Sequence, residues 1–444
     1  MRSWVRSKIC RGMCVLTFAP LSSAFALGFA QLESSGFLRK ATDRANSTQT
    51  LQLGPRAFNE NEWFQAKLDA FGIVQVSDKS SLNFEAPEAY LASSPQWNSE
   101  HQFTFGRRLK DWSVMDHYWE LGLFQPRFTW DPTRPKWVGL TGAFYEYHLP
   151  QWRFLAFGSL LNVPERGFST RVENGKITSS DPFAEQNYEN AIVSRRSIPI
   201  RYNLDYPPMK DLILNPGFML SAQFQEKPDS GFWAEGKAGY MPIHQVNLSV
   251  LPTYILQQDY VDVQVYPTIL RHYLAGGEMG YRYNDFQLWG SYTHEVPDKW
   301  VMPDRWVTPR IEPADIYSVG AEYTFFDRLK LQASYLYISE EPKASVDAQE
   351  FTIDLPSRFR YHRGFRTRLE FDSHQRFRQE WEWTHDADFE SDLVSGDLFI
   401  DLMKDSNALT LNLGCDFFAS STGKGSIGRL KGNDRVRGGI VYVF

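Results

Sequence analysis

The residues with the most chemistry to offer are arginines at alternate positions. Between residues 358 and 386, Arg358, Arg360, Arg366 and Arg368 share a face with Glu370, while Arg376 and Arg378 share one with Glu380 and Glu382. The positions between them carry Phe359, Tyr361, Phe365, Leu369, Phe371, Phe377, Trp381 and Trp383. A period of two puts such rows on opposite faces of neighbouring strands. Six guanidiniums along one wall of a wet interior would attract anions through their local field, whatever the net charge. The alternative is structural: Arg and Glu on adjacent strands pair with each other and brace the wall. Arg363 falls on the apolar face, which is tolerable only near a membrane interface.

A second basic cluster, with Arg195, Arg196 and Arg201, lies in a connection of about 50 residues, 161–211. A loop of that length is usually functional. It is expected either to fold inward as a constriction or to stand as a solvated loop. Catalytic constellations are thin. His385-Asp386 is an isolated pair, and there is no Asn-x-His-x-Ser run, no cysteine pair and no His-Glu-x-x-His. Nor is there a glycine-rich phosphate loop. No enzyme activity, metal or cofactor is therefore expected.

The elements that must position these residues are strands. From about residue 61 the chain alternates apolar and polar positions, most clearly at 316–338. There Tyr317, Val319, Ala321, Tyr323 and Phe325 oppose Ser318, Gly320, Glu322 and Thr324. Segment 407–418 does the same, and puts Cys415 on the apolar face. Eighteen strands are predicted, beginning near residues 61, 80, 100, 138, 151, 212, 231, 246, 262, 276, 286, 314, 328, 358, 374, 394, 407 and 434; sixteen is the alternative count. Every second connection is about six residues or fewer, whereas 110–137, 161–211, 296–313, 340–357 and 420–433 all fall in the other set. Loops sorted in this way fit an all-β, closed antiparallel transmembrane barrel with short periplasmic turns and long extracellular loops. A Greek-key sandwich has no reason to sort them. Most prolines sit in the proposed loops, but Pro252 and Pro267 fall inside the strands near 246 and 262. Residues 27–60 show no clear alternation and are expected to be an arm or plug-like segment, leaving 61–444 as the barrel.

The amino terminus has the layout of a signal peptide. Arg2, Arg6, Lys8 and Arg11 precede a short apolar stretch and Ala24-Phe25-Ala26, so a cut after Ala26 is expected. Losing those four cations takes the formal net charge from −6 to −10, which argues against a nucleic-acid partner. It also leaves Cys415 as the single cysteine. Mean hydropathy is −0.42 and no apolar run reaches the roughly 18 residues of a spanning helix. A barrel keeps hydropathy low because only alternate residues meet lipid.

The final strand, Arg435 to Phe444, has Val436, Gly438, Ile440, Tyr442 and Phe444 on one face. It resembles the closing strand of Gram-negative outer-membrane barrels, whose assembly machinery reads a carboxyl-terminal aromatic; the resemblance implies that role for Tyr442 and Phe444. The stretch Gly106-Arg-Arg-Leu-Lys-Asp-Trp112 to Asp131 resembles, over about 25 residues, strand–loop junctions of large porins, including alginate-export-type barrels. What it implies is an Arg-rich lumen that carries an anionic solute. Trp112, Trp119, Trp130 and Trp137 are expected to form an extracellular girdle rather than a carbohydrate slide. The resulting expectation is a porin-like outer-membrane channel for small hydrophilic solutes, anionic ones among them. It would lie among outer-membrane lipid and lipopolysaccharide, and homo-oligomers are compatible with it. The competing expectation is a barrel plugged by 110–137 and 161–211, acting as an adhesin or surface-binding protein.

Overall fold

In the computed structural model, the described residues are 25–38, 46–76, 80–167, 170–179, 183, 189–193, 195–227, 230–299, 306–307, 311–340, 358–373, 376–403 and 409–444. Eighteen strands form one sheet. They are β1 (Phe25–Phe37), β2 (Ser47–Glu60), β3 (Phe64–Val76), β4 (Ser81–Ser93), β5 (His101–Arg108) and β6 (Leu140–His148). Next come β7 (Trp152–Ser159), β8 (Gly217–Gln225), β9 (Gly231–Pro242), β10 (Arg271–Tyr283), β11 (Phe286–Pro297) and β12 (Ala314–Phe325). The last six are β13 (Leu329–Glu340), β14 (Arg363–Asp372), β15 (Phe377–Asp386), β16 (Ser391–Asp401), β17 (Leu409–Ser420) and β18 (Arg435–Val443). Each pairs antiparallel with the next, and β18 pairs with β1 from Phe29↔Val443 to Phe37↔Arg435. The sheet has no edge.

Alternation decides which face meets which solvent. On β12 Tyr317, Val319 and Tyr323 are 45%, 51% and 40% exposed, whereas Ile316 and Ser318 are 0% and 6%. The outward set forms an apolar belt around the cylinder, including Leu51, Phe84, Phe105, Phe154, Leu220, Leu288, Leu331, Trp381 and Ile440. A polar inner face behind an apolar outer belt is the signature of a membrane-spanning barrel. Connections of two to seven residues join the strands at one end; with two short exceptions, the long connections lie at the other.

The count of eighteen is met, but two of its members differ from expectation. Residues 27–60 are not an arm or plug: they supply β1 and β2, which pair from Phe25↔Phe58 to Gly36↔Ser47. The outward positions of β1 (Gly28, Ala30, Leu32, Ser34, Gly36) are mostly small, so its alternation is faint. Conversely, the segments near 246 and 262 are strands outside the barrel. Strands Asn247–Ile255 and Tyr260–Thr268 pair with each other, and the second pairs in parallel with Arg196–Leu204, which also pairs with Asn190–Val193. This four-stranded sheet stands at the long-loop end, around Ile198, Val261, Val263 and Val265. Pro252 lies on its outer strand, and Pro267 lies beyond the Val261–Val265 stretch that bonds to 196–204. Both positions suit a residue without an N–H.

The segment expected to be a signal peptide lies outside the described residues except for Phe25 and Ala26, which open β1. Residues 341–357 lie outside them too. Tyr442 and Phe444 point outward at the short-turn end with rings 5.8 Å apart, and Phe444 exchanges backbone hydrogen bonds with Gly28. Cys415 shares the outward face of β17 with Leu413 and Phe417.

An outward cation at bilayer mid-depth has no partner and no water. Val319→Arg should therefore destabilise the folded barrel in vesicles by about 2–4 kcal/mol, read from urea titration, while Ser318→Asn on the inner face should cost far less. Equal costs would overturn the assignment of faces.

Candidate functional site

The lumen is divided lengthwise by the connection 109–139, which folds inward between β5 and β6. It contains helix α1 (Val114–Trp119), capped by the Ser113 hydroxyl, which accepts from the Asp116 N–H at 3.1 Å. After the helix Glu120 and Gly122 take left-handed backbone (φ 50° and 74°). A Cβ at Gly122 would meet the Glu165 carboxylate and Arg127 guanidinium, so only glycine fits. The turn closes on Asp116, whose carboxylate accepts from the N–H groups of Gly122, Leu123 and Phe124 at 2.8, 3.2 and 2.9 Å. Burial nonetheless pushes the Asp116 carboxyl up from its ordinary value.

One half of the lumen is dry. Trp112, Met115, Trp119, Leu121 and Phe124 of the loop pack against the inward Met219, Trp233, Leu274, Trp289, Ile316 and Leu336 of β8–β13. Within this half Glu278 is the polar anchor. It accepts from the Ser113 hydroxyl and the Val114 N–H (2.9 Å) and pairs with Lys237 at 3.1 Å, with both side chains fully buried. Removing one member of such a pair leaves a buried charge uncompensated, at a cost of about 3–5 kcal/mol. The loop is also held by Arg127, which grips Glu165 through Nε (2.7 Å) and Nη2 (3.0 Å). Lys110 pairs with Glu146 on β6, and burial outweighs that carboxylate to bring the ammonium down to about 8.

The other half is hollow and polar. A cavity of about 390 Å³ lies between the loop and the wall formed by β14–β18 and β1–β3. Its charged lining is six cations (Arg134, Lys136, Arg366, Arg368, Arg435, Arg437) and six carboxylates (Glu33, Glu120, Asp131, Glu380, Glu382, Asp397). Arg435 bonds Asp416 at 2.6 Å, Thr133 at 2.8 Å and Asp131; Arg437 bonds Asp397 at 2.7 Å. Arg134 reaches from the loop to Asp416 (2.8 Å) and Asp397 (2.9 Å). Burial works to raise the Asp131 carboxyl, but Arg435 and Arg134 outweigh it and hold the group below its ordinary range.

The expected arginine row is only partly here. Arg366 and Arg368 line the cavity, each bonded to a β15 carboxylate at 2.7 Å: Arg366 to Glu382, Arg368 to Glu380. Arg368 also bonds Glu370 at 2.9 Å, and Arg378 bonds Glu380 at 3.1 Å towards the short-turn end. Arg376 precedes β15 and is exposed. Arg358 and Arg360 are not on a strand, because the chain bends at 358–360 before β14 begins. Arg358 forms a two-pronged pair with Glu295, and Arg360 donates to the Pro132 carbonyl at 2.7 Å, clamping the inward loop. The same bend buries Phe359 and Tyr361, which were expected to face lipid; Tyr361 sits edge-on to Trp119 at 5.7 Å.

Arg195, Arg196 and Arg201 do not form a constriction. Arg195 lies in the turn that leads into Arg196–Leu204, and the other two lie on the four-stranded outer sheet, where Arg196 pairs with Asp259 at 2.8 Å and Arg201 stacks on Tyr260 at 4.3 Å. The constriction is 109–139 instead, and Trp112, Trp119 and Trp130 are buried inside the barrel rather than in a girdle. Of the 161–211 connection, Phe183 reaches the cavity. His385 pairs with Asp392 at 2.9 Å, not with the inward, buried Asp386. Among the described residues no group of three or more His, Cys, Asp and Glu could hold a metal ion.

Arg134, Asp397, Asp416, Arg435 and Arg437 were missed as site residues. Their signal was present: Arg435 and Arg437 occupy the face opposite Val436 and Ile440, and Asp416 opposes Cys415 and Phe417. The two alternations could be read singly, but not their adjacency.

No family model and no curated protein matches the chain. Solved structures do. OccAB1 of Acinetobacter baumannii aligns with a TM-score of 0.50 at 9% identity over 95% of this chain and 96% of that one. OccAB2 of the same organism (TM-score 0.47, 10% identity, 95% and 98%) and OccK11 (OpdR) of Pseudomonas aeruginosa (TM-score 0.47, 11% identity, 96% and 96%) are also similar. At 9% identity the likeness to OccAB1 shows fold, end to end. The fold is an 18-stranded closed barrel of the Gram-negative outer-membrane type.

Because the Asp131 carboxyl is held low, its pair with Arg435 persists above the ordinary carboxylate value and is lost as pH falls through the lowered one. Asp131→Asn should therefore loosen residues 131–136 at neutral pH, read as faster amide exchange there. The unaltered protein should match it, after correction for intrinsic rates, only below about pH 4. Identical exchange at pH 7 would show that the pair does not hold the segment.

Proposed function

We propose that this protein is an outer-membrane channel that passes small hydrophilic solutes along the charged half of its lumen. The observation that carries the reading is the cavity of about 390 Å³ between the inward loop and β14–β18/β1–β3, lined by charges while the opposite half is packed dry. Transport of this kind needs no catalysis; selectivity comes from the radius left by the loop and from the lining charges.

Six cations facing six carboxylates give the lining no formal excess, so the arginines do not make the lumen a net anion attractor. They act locally. Arg366 and Arg368 on β14 and Arg435 and Arg437 on β18 flank the Glu380, Glu382 and Asp397 positions of β15 and β16, which makes stripes of alternating sign down one wall. A solute crossing this field is sorted by where its charges lie, and a carboxylate competes with Glu382 and Glu380 for the β14 guanidiniums. Tyr442 and Phe444, outward at the last turn, are the proposed signal for the assembly machinery.

A plugged barrel serving as a surface-binding protein remains the second reading, favoured by the packed half-lumen and by the outer sheet. Planar-bilayer recordings separate the two. Stable ohmic steps support the channel, and silence from correctly folded, heat-modifiable protein supports the plug. In the channel, Arg366→Glu with Arg368→Glu should move the reversal potential in a salt gradient towards cation preference. An unchanged potential would remove these arginines from the permeation path.

A further inference from the structure

We propose that the barrel carries, on one side of its long-loop end, an apolar ledge embedded in the hydrocarbon of the outer leaflet. It is built from Leu160, Tyr206, Met209 and Leu214, and it extends the lipid-facing belt above the level that limits it on β9–β12 and β14–β16. The inference goes beyond the channel reading and does not depend on it.

That level is marked by polar groups on the outward face. Tyr240 on β9 stacks with Tyr273 on β10 at 4.4 Å and donates to Asp298. On β11 and β12, Tyr292 and His294 both bond Asp315 at 2.8 Å. Trp383 and His385 on β15 bond Asp392 on β16 at 3.0 and 2.9 Å. Arg363 pairs with Asp388 at 3.0 Å. Aromatic rings with hydrogen-bonded polar tips mark the boundary between hydrocarbon and headgroups.

On β7 and β8 no such collar interrupts the apolar face. Phe218 lies opposite both Tyr240 on β9 and Gly158 on β7, so it stands at the collar. Outward alternation then continues past it, through Pro216 and Leu214 on one segment and Leu160 on the other. Leu214 and Leu160 are 56% and 77% exposed. Leu160 stands just past the end of β7 and Leu214 three residues before β8 begins, so both lie beyond the collar. The short helix Met209–Ile213 adds Met209, 69% exposed, and Tyr206 precedes it at 70%.

The two segments form one body. The Asn162 N–H bonds the Ile213 carbonyl at 2.7 Å, and the Asn215 amide caps the Asp211 and Leu212 carbonyls at 2.9 and 3.2 Å. An apolar patch of this kind on a water-facing surface calls for an occupant. Continuity through Phe218 and Leu220 with the belt already in lipid makes that occupant acyl chains. The barrel therefore meets the outer leaflet asymmetrically, with the β7–β8 side immersed more deeply.

The test first replaces Cys415, the one cysteine among the described residues. In a Cys415→Ser background, Leu160→Cys and Met209→Cys are each nitroxide-labelled in phosphatidylcholine vesicles. Leu220→Cys serves as lipid control and Lys176→Cys as aqueous control, with collision rates measured for oxygen and for a water-soluble nickel chelate. The expected result is an oxygen-to-nickel ratio several-fold above that of the Lys176 label and close to that of the Leu220 label. A ratio equal to the Lys176 label would overturn the proposal. So would labels shielded from both reagents with spin–spin broadening, which would make the ledge a contact between copies of the chain. Heat-modifiable mobility of each labelled variant confirms that the barrel has closed.

Discussion

The structure depends on one constraint: within a bilayer, every backbone N–H and C=O must find its partner in the protein itself. A sheet meets that demand only by joining its first strand to its last, and here β1 and β18 do so over nine residue pairs. Everything else follows from this seam. Closure fixes two faces with different solvents, which forces the alternation. With loops free to grow at one end, the longest connections become available to fill, narrow or crown the cylinder. An interior eighteen strands wide cannot be packed by wall side chains alone, so a loop must shape it.

The way 109–139 shapes it is unequal. Against β8–β13 it behaves like the core of a soluble domain, with fully buried Met115 and Trp119 and a desolvated Lys237–Glu278 pair. Against β14–β18 it meets the wall mainly through polar contacts, above all the ion pairs from Arg134 and Asp131 to Asp416, Asp397 and Arg435. Apolar packing is non-directional and strong in sum, whereas buried ion pairs such as Arg435–Asp416 hold only in a narrow geometry, because each charge has been taken out of water. The loop is thus fastened by shape on one side and by directed charge pairs on the other, and the cavity lies on the charged side.

Much of this was legible in the sequence, and the failures were local. The period of two and the sorting of loop lengths identified a closed barrel, and sixteen of the eighteen proposed strands lie in its wall. The number came out right because two errors cancelled. β1 was overlooked because its outward residues are mostly small, and β2 because Gly54-Pro55 interrupts it. The 247–268 hairpin was accepted because alternation reports a strand, not the sheet it joins, and Pro252 and Pro267 were the clue. For the site, Arg366 and Arg368 were found because their strand is regular. Arg358 and Arg360 continue the same parity, but a bend takes them off the wall. Sequence spacing could not reveal which long connection turns inward. That depends on a wall of inward apolar residues contributed by six separate strands, and only the closed cylinder brings them to one side.

The outer sheet has a mechanical consequence. Residues 200–204 and 261–265, from two connections separated by β8 and β9, run side by side in the same direction. Parallel neighbours cannot be peeled apart from a shared hairpin end, since they have none. The two crowning segments are therefore yoked: a displacement of either at the mouth drags the other along, and the barrel presents a single lintel to the outside rather than two independent flaps.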